Sequence, residues 1–204
     1  MNKKILEHFK KNDPVLYSIA SKTRLEKYIK KEKTENYFLK LCREIIGQQL
    51  SGRVAEVIFG RFRKLYKNKV TPRSVLKTEH EKLRSIGMSN AKAKYVKNLA
   101  AAVVERKLQI DALDKLPDDE VKKQLVQVKG IGPWTAEMFL MFTLGRPDVF
   151  SHGDLGLKKA LKKLYGFKKD PDIKTVEKVI KKWSPYKTYA SLILWTSLET
   201  LSNN

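Results

Sequence analysis

A glycine-rich stretch near the middle of the chain, residues 128–144, constrains the fold more than any other segment. A helical pattern over 118–127 leads into it, and a second helical pattern begins at Pro133, which suits the first turn of a helix. Gly130 and Gly132 lie between the two, where a tight turn needs backbone freedom and where a missing Cβ lets a partner come close. The sequence therefore predicts a helix, a hairpin turn and a second helix.

The start of that second helix is suited to binding an anion. Several backbone N–H groups and the positive end of the helix dipole meet there, and Lys129 adds a positive charge. We interpret the turn as a phosphate-binding site, although the glycines alone also allow a plain connection between two helices. Ile86 and Gly87 resemble a weaker copy of Ile131 and Gly132, which suggests a loose internal repeat.

The charge of the chain points to a polyanionic partner. Its 204 residues include 43 Lys and Arg against 22 Asp and Glu, a net charge of +21, which exceeds what solubility requires. Nucleic acid is favoured over an anionic membrane, because the sequence has no long apolar span and no lipidation signal. The first residues lack the apolar stretch of a secretion signal, so we expect an intracellular protein, in the cytoplasm and nucleoid or in a nucleus. A strongly solvated surface is the alternative explanation of the charge.

Cysteine and histidine usage excludes several kinds of site. The single cysteine, Cys42, rules out an internal disulfide and a four-cysteine zinc or iron–sulfur site. The three histidines do not have the spacing of metal ligands. Cys42 belongs to an apolar stripe at helical spacing that we predict to be buried. The stripe consists of Tyr37, Phe38, Leu41, Cys42, Ile45 and Ile46.

The remaining pattern predicts an all-α fold of about ten helices, because no segment alternates with period two. Capping residues stand before six of the predicted helices, namely Asp13, Ser51, Thr71, Ser89, Asp154 and Ser184. We expect two helical clusters around a cleft. Residues from about 35 to 110 form the central cluster, and 1–34 together with 111–204 form the second, which carries the hairpin and Asp154. The hairpin, Asp154 and the end of the chain are predicted to meet at that cleft.

Five motifs in order carry a resemblance to a known family. Gly-Ile-Gly-Pro-Trp-Thr-Ala at 130–136 and Asp-Val-Phe-Ser-His-Gly-Asp at 148–154 resemble the helix-hairpin-helix DNA glycosylase superfamily, and within it the alkylbase branch, DNA-3-methyladenine glycosylase II. Segments 45–51, 86–95 and 183–195 resemble the early loop, the middle segment and the final helix of that branch. The resemblance extends over most of the chain, from about residue 35 to residue 200.

The resemblance implies roles for three residues at the reacting centre. Asp154 falls on the catalytic aspartate of the family, a carboxylate that opposes positive charge on the sugar and orients water; helix capping is the alternative role for it. Trp134 stands where bifunctional members have a lysine, which implies a monofunctional enzyme that leaves an abasic site. Trp134 and Trp195 match aromatic positions of the base pocket, where an indole attracts a cationic purine; burial in the core is the alternative.

The resemblance also implies contacts to DNA. The hairpin is expected to bind phosphate through Lys129, Gly130, Gly132 and Thr135, and the early loop is expected to bind through Gln48, Gln49, Leu50 and Ser51. Within that loop Gln49, with Leu50 beside it, is the candidate for the side chain that fills the gap left by a flipped nucleotide. A monovalent cation held by the carbonyls of Val128 and Gly130 is a further expectation. No other cofactor is expected, and the cysteine count excludes the iron–sulfur cluster that some relatives carry.

The sequence thus favours an enzyme that hydrolyses alkylated purines, such as 3-methyladenine or 7-methylguanine, from double-stranded DNA. A glycosylase for deaminated or oxidised purines is the first alternative, because it would differ only in the shape of its pocket. A non-catalytic DNA-binding module is the second, although such a module has no need of a carboxylate facing phosphates. We expect a monomer, since one flipped base needs no symmetry.

Overall fold

The computed structural model describes residues 3–23 and 29–202, and side chains as far as residue 198. Over these ranges the regular structure consists of helices, and no strand is found, so the all-α prediction is confirmed. The α-helices are Lys3–Asn12 (α1), Pro14–Ala20 (α2), Tyr37–Gly47 (α3), Gly52–Leu65 (α4), Pro72–Lys77 (α5), His80–Ser85 (α6), Asn90–Val104 (α7), Asp118–Val126 (α8), Pro133–Phe142 (α9), Leu155–Leu164 (α10), Ile173–Ile180 (α11) and Lys187–Ser202 (α12). Three short 3₁₀ helices lie at Thr34–Asn36, Ile110–Lys115 and Lys181–Trp183.

The chain divides into two compact units. The middle unit is Glu32–Leu144, and the terminal unit combines Met1–Lys31 with Gly145–Asn204. This division differs from the predicted clusters, which assigned 111–144 and the hairpin to the second cluster. The hairpin belongs to the middle unit because α9 packs against both α8 and α3. Among the described residues, none of the helices is both long and apolar enough to cross a membrane.

The core of the middle unit is built on α3. Its apolar stripe, predicted from helical spacing, is buried at every position, including Cys42. One face of α3 receives α4, while α7 and α9 pack against it elsewhere. Tyr37 of α3 meets Phe139 of α9 edge to face, with ring centroids 5.6 Å apart. Burial of the thiol raises the pKa of Cys42 far above its ordinary value, so this cysteine is an inert core residue.

The terminal unit joins the beginning of the chain to its end. Helix α2 packs against α12, and α10 packs against α12 as well. Pro14 begins α2 after the N-cap Asp13, as the sequence predicts. Ser184 is predicted to cap α12, but α12 begins at Lys187. There the Asp148 carboxylate accepts the backbone N–H of Lys187 at 3.2 Å and the Ser184 hydroxyl at 2.6 Å.

Candidate functional site

Asp154 lies at the start of α10, in the position that the sequence assigns to it. It is the N-cap residue, with φ −75° and ψ 118°, and its Oδ1 accepts the backbone N–H of Leu157 at 2.8 Å. The same oxygen accepts the indole N–H of Trp195 at 3.0 Å. Asp154 is only half-buried. It therefore caps a helix and also presents a carboxylate that an indole holds in place.

Trp195 reaches Asp154 because α10 and α12 pack against each other. The two residues are 41 positions apart in the chain, and Trp195 is itself half-buried on α12. The sequence suggested an aromatic face for a purine at this position. The structure adds a hydrogen bond from Trp195 to the candidate catalytic carboxylate, and stacking on a base stays a prediction.

Gly156 belongs to the same cluster, although the sequence-based reasoning did not single it out. It is the second residue of α10, and a Cβ built on it would lie 3.0 Å from Oδ1 of Asp154 and 3.2 Å from Nε1 of Trp195. A signal for it is present in the sequence, since glycine is unfavourable inside a helix and usually has a packing or functional reason to be there.

A second aspartate–tryptophan pair, also missed from the sequence, lies in the core of the terminal unit. Asp13 is only 2% exposed, and its Oδ1 accepts the backbone N–H of Leu16 at 3.0 Å. Its Oδ2 accepts the indole N–H of Trp183 at 2.8 Å and the hydroxyl of Tyr165 at 2.6 Å. Burial, together with the neighbouring Asp13 carboxylate, raises the pKa of Tyr165 well above its ordinary value.

The two glycines of the hairpin have different roles. Gly130 has a φ of +108°, and a Cβ there would lie 2.2 Å from Cγ of Tyr95 on α7. Gly132 has φ −91° and ψ 174°, which any residue adopts, and a Cβ there would meet nothing within 4 Å. The expectation that both glycines need backbone freedom is therefore wrong for Gly132. Glycine is required at 130 because the turn has a positive φ there and lies directly against Tyr95. Gly132 instead leaves open space at the start of α9.

Helices α7 and α9 begin differently, although both follow a turn with a left-handed glycine. The hydroxyl of Ser89 caps α7 by accepting the backbone N–H of Lys92 at 3.2 Å. Gly132 is the N-cap of α9, and no side chain caps that helix. The sequence pairs Gly87 with Gly132, whereas in the structure the turn residue that corresponds to Gly87 (φ +105°) is Gly130. The sequence-based pairing is therefore out of register by two residues. Of these two helix starts, that of α9 resembles an anion site and that of α7 does not.

The end of α3 and the loop that follows it are each held by one side chain. The Lys92 ammonium donates to the carbonyl of Ile46 at 2.8 Å. The Gln48 amide donates to the carbonyl of Gly130 and to Oγ1 of Thr135, both at 3.0 Å. Thr135 is only 2% exposed. The Thr135 side chain and the Gln48 amide therefore support this loop, and contact of either residue with DNA stays a prediction.

The tip of this loop is exposed. Gln49 has a φ of +56°, in the left-handed region that residues other than glycine seldom adopt. Leu50 is half-buried and its N–H donates to the carbonyl of Gly47 at 3.1 Å. Ser51 is exposed and is the N-cap of α4, without a hydrogen bond from its side chain. Gln49 and Ser51 face solvent, and contact of the tip with DNA stays a prediction.

The expected cation site fits the hairpin only in part. The carbonyl of Val128 accepts the N–H of Ile131 at 2.9 Å and retains a second lone pair. The carbonyl of Gly130 faces the amide donor of Gln48, whose partial positive charge opposes a cation at that oxygen. Among the described residues, no three His, Cys, Asp or Glu side chains form a group that could hold a metal ion. The monovalent cation stays a prediction.

Trp134 and Lys129 lie on the exposed side of the hairpin. Trp134 is the second residue of α9 and is 36% exposed, so it is not a core residue. Lys129 is exposed, and its carbonyl accepts the side-chain amide of Asn98 at 3.1 Å. Both belong to the middle unit, whereas Asp154 and Trp195 belong to the terminal unit. A cleft shared by all four residues stays a prediction.

A comparison with protein families gives a match over most of the chain. The matching model describes HhH-GPD superfamily base excision DNA repair proteins and covers residues 42–185. This range includes the loop after α3, the turns before α7 and α9, and Asp154. It ends before Trp195, so the pairing of that residue with Asp154 is seen from the structure and not from the family model.

Individual proteins are similar over different shares of their length. DNA-3-methyladenine glycosylase of Saccharomyces cerevisiae is 30% identical over 233 aligned residues, which cover 95% of this chain and 79% of the yeast protein. The Bacillus subtilis protein YfjP is 35% identical over 128 residues, and this part spans only 45% of YfjP. The solved structure of Schizosaccharomyces pombe 3-methyladenine DNA glycosylase Mag1 in complex with abasic DNA has a TM-score of 0.82 at 27% identity and covers 97% of each chain.

Proposed function

This chain belongs to the HhH-GPD superfamily of base excision DNA repair proteins, and we propose that it is a DNA-3-methyladenine glycosylase. It hydrolyses the N-glycosidic bond of alkylated purines in double-stranded DNA and leaves an abasic site. The half-buried Asp154 carboxylate, fixed by a backbone N–H and an indole N–H, is the observation that carries the proposal. The names of the yeast proteins agree with this substrate class, and the fission yeast protein was solved with abasic DNA.

Asp154 has the chemistry that this reaction needs. Departure of a purine builds positive charge on the sugar, and a nearby carboxylate in a partly dry site opposes that charge. The carboxylate also orients the attacking water or accepts its proton. An alkylated purine is a good leaving group because it already carries positive charge, so the protein need not supply an acid to the base.

The proposed reaction stops at the abasic site. Strand cleavage by related bifunctional enzymes requires an amine that attacks the sugar, and the residue at that point of the motif is Trp134. An indole nitrogen is not a nucleophile of this kind. The exposed face of Trp134 is instead suited to stack on a cationic purine.

Two features support binding to the DNA backbone. Helix α9 begins at Gly132 with open space and no side-chain cap, which suits a phosphate. Exposed lysines on α10, Lys158, Lys159 and Lys163, add charge along the helix that Asp154 begins. Such contacts give affinity that falls steeply with salt concentration. We also propose that the protein acts as a monomer. Its proposed location is inside the cell, in the nucleoid or in the nucleus.

The exposed tip of the α3–α4 loop is the proposed insertion element. An enzyme that flips a nucleotide out of the duplex must support the stack that remains. Gln49 projects from a loop anchored through Lys92 and Gln48, so its backbone is fixed before DNA arrives. We assign the insertion to Gln49, with Leu50 as its neighbour.

Release of methylated purines from methylated duplex DNA tests the proposed activity directly. Wild type should release base and leave alkali-labile abasic sites, and borohydride should trap no covalent complex with DNA. Asp154→Asn should bind DNA and release little base. If wild type binds methylated DNA without releasing base, the alkylpurine proposal fails. Duplexes with hypoxanthine or oxidised guanine would then separate a different glycosylase from a binding module.

The two hairpin glycines provide a matched pair for the phosphate contact. Gly132→Ala places a methyl group in open space at the start of α9, so the protein should fold normally and bind DNA more weakly. Gly130→Ala should destabilise the fold, because Cβ would collide with Tyr95. Equal DNA affinity of Gly132→Ala and wild type, at several salt concentrations, would contradict the phosphate site.

A further inference from the structure

Gly156 is an unfavourable residue for the helix that contains it. It occupies the first turn of α10, and glycine disfavours a helix relative to alanine. Its φ does not lie in the left-handed region, so conformational freedom does not explain it. The explanation must lie in the space that a side chain would fill.

That space is taken by the pair next to it. A Cβ on Gly156 would lie 3.0 Å from Oδ1 of Asp154, and 3.2 Å from both Cδ1 and Nε1 of Trp195. Contacts at these distances are tighter than nine in ten real Cβ contacts, so the neighbouring atoms would have to shift by a few tenths of an ångström. A side chain at 156 would therefore push the indole away from the carboxylate, or turn the carboxylate away from the indole.

The other aspartate–tryptophan pair shows why this position is sensitive. Asp13 accepts its helix N–H at Oδ1 and the indole of Trp183 at Oδ2, and the residue two positions after it is Val15. Asp154 accepts both donors at Oδ1. An indole that shares Oδ1 with the helix N–H must come over the first turn, where the side chain of residue 156 would stand.

We propose that Gly156 is a positioning residue for the reaction proposed above. Its missing side chain lets the indole N–H of Trp195 reach Oδ1 of Asp154, and this hydrogen bond fixes the orientation of the carboxylate. The terminal torsion of an aspartate is broad when it is not restrained. Without this hydrogen bond, the carboxylate would be oriented less sharply toward the reacting sugar.

The test compares Gly156→Ala, Trp195→Phe and the double variant in single-turnover base release. Gly156→Ala should lower the rate constant about 10-fold or more, because small misplacements of reacting groups cost up to roughly 100-fold. The dissociation constant for DNA should change little, and the melting temperature should also change little, because the helix preference of alanine offsets the loss of one hydrogen bond. The double variant should be no slower than Trp195→Phe alone, since the hydrogen bond is already absent. Gly60→Ala on α4, where a Cβ meets nothing within 4 Å, is the matched control.

The indole resonances test the hydrogen bond independently of activity. The chain has three tryptophans, so a ¹⁵N–¹H spectrum contains few indole peaks, and Trp195→Phe identifies one of them. Gly156→Ala should move the Trp195 indole proton upfield, while Gly60→Ala leaves it in place. An unmoved Trp195 peak, or rate losses that multiply in the double variant, would overturn the proposal. If wild type releases no base, the glycosylase proposal fails, and the indole shift still decides whether Gly156 holds this pair together.

Discussion

The two aspartate–tryptophan pairs of the terminal unit begin from the same local arrangement and differ in what surrounds them. Asp13 and Asp154 are both N-cap residues, and each accepts a backbone N–H three residues on and an indole N–H from a distant helix. Asp13 is almost fully buried and receives a third donor from Tyr165. Asp154 is half-buried. One carboxylate is thus a fixed part of the core, and the other is partly accessible from the surface.

The distribution of donors over the oxygens sharpens this difference. The donors to Asp13 are divided between Oδ1 and Oδ2, so both oxygens are needed for the structure. At Asp154 the backbone N–H of Leu157 and the indole N–H of Trp195 share Oδ1. An amide can replace the carboxylate there without losing either of these hydrogen bonds, whereas at Asp13 it cannot. Aspartate-to-asparagine substitutions should therefore separate catalysis from stability.

The largest effect is expected for Asp154→Asn on base release. Asparagine is as good an N-cap as aspartate and keeps an oxygen for both donors, but it has no negative charge to oppose the charge on the sugar. The rate of base release should fall on the order of 100- to 1000-fold, about 3–4 kcal/mol of activation free energy. Urea unfolding should show little loss of stability. A variant that keeps its rate would remove Asp154 from the reaction.

Asp13→Asn should produce the reverse pattern. If the amide oxygen keeps the hydrogen bond from the Leu16 N–H, the amide NH₂ faces the indole N–H of Trp183. Both groups are donors, and the site is too deeply buried for water to separate them. The free energy of unfolding should fall by about 2–4 kcal/mol, as measured by urea unfolding. At temperatures where the variant remains folded, base release should stay near the wild-type rate. A rate loss as large as that of Asp154→Asn would show that the buried pair is not purely structural.

Tyr165 gives the buried pair a pH dependence. Because its pKa in the folded protein is raised above the unfolded value of about 10, unfolded chains lose the proton first as the pH rises. The stabilisation is complete below pH ~10 and declines above it, by about 1.4 kcal/mol per pH unit. Unfolding of wild type and Tyr165→Phe between pH 8 and 11 should show the steeper decline in wild type. Equal slopes would contradict the role assigned to this hydroxyl.

The smallest effect is expected for Trp195→Phe on stability. Trp195 is half-buried, so its replacement should cost less than about 1 kcal/mol of unfolding free energy. Trp183 is fully buried and bonded to Asp13, and Trp183→Phe should cost about 3 kcal/mol. Thermal or urea unfolding of the two variants side by side measures the difference. Similar losses would mean that the two pairs contribute equally to the core.

Local features of the sequence predicted much of this structure. Helix starts at Asp13, Thr71, Ser89 and Asp154 are confirmed, because a cap depends on residues three or four positions away. The buried stripe of α3 is confirmed for the same reason, since helical spacing alone determines which residues share a face.

Features that depend on distant parts of the chain were not predictable in this way. Asp13 meets Trp183 across 170 residues, and no local pattern distinguishes this N-cap from the one at Asp154. Gly156 has no room for a side chain because Trp195 of α12 packs against it. Gly130 and Gly132 look alike in the sequence, and only the position of Tyr95 separates them. Packing between elements, rather than the propensity of any one of them, determines each of these outcomes.

The anchored loop between α3 and α4 has an entropic consequence. A flexible loop would lose conformational freedom on binding, and that loss would weaken its affinity for DNA. Here Lys92 and Gln48 restrict the loop in the free protein, and Gln49 already holds a left-handed backbone that few side chains tolerate. Folding therefore already orders the proposed insertion element, so we expect it to lose little conformational freedom when it meets a duplex.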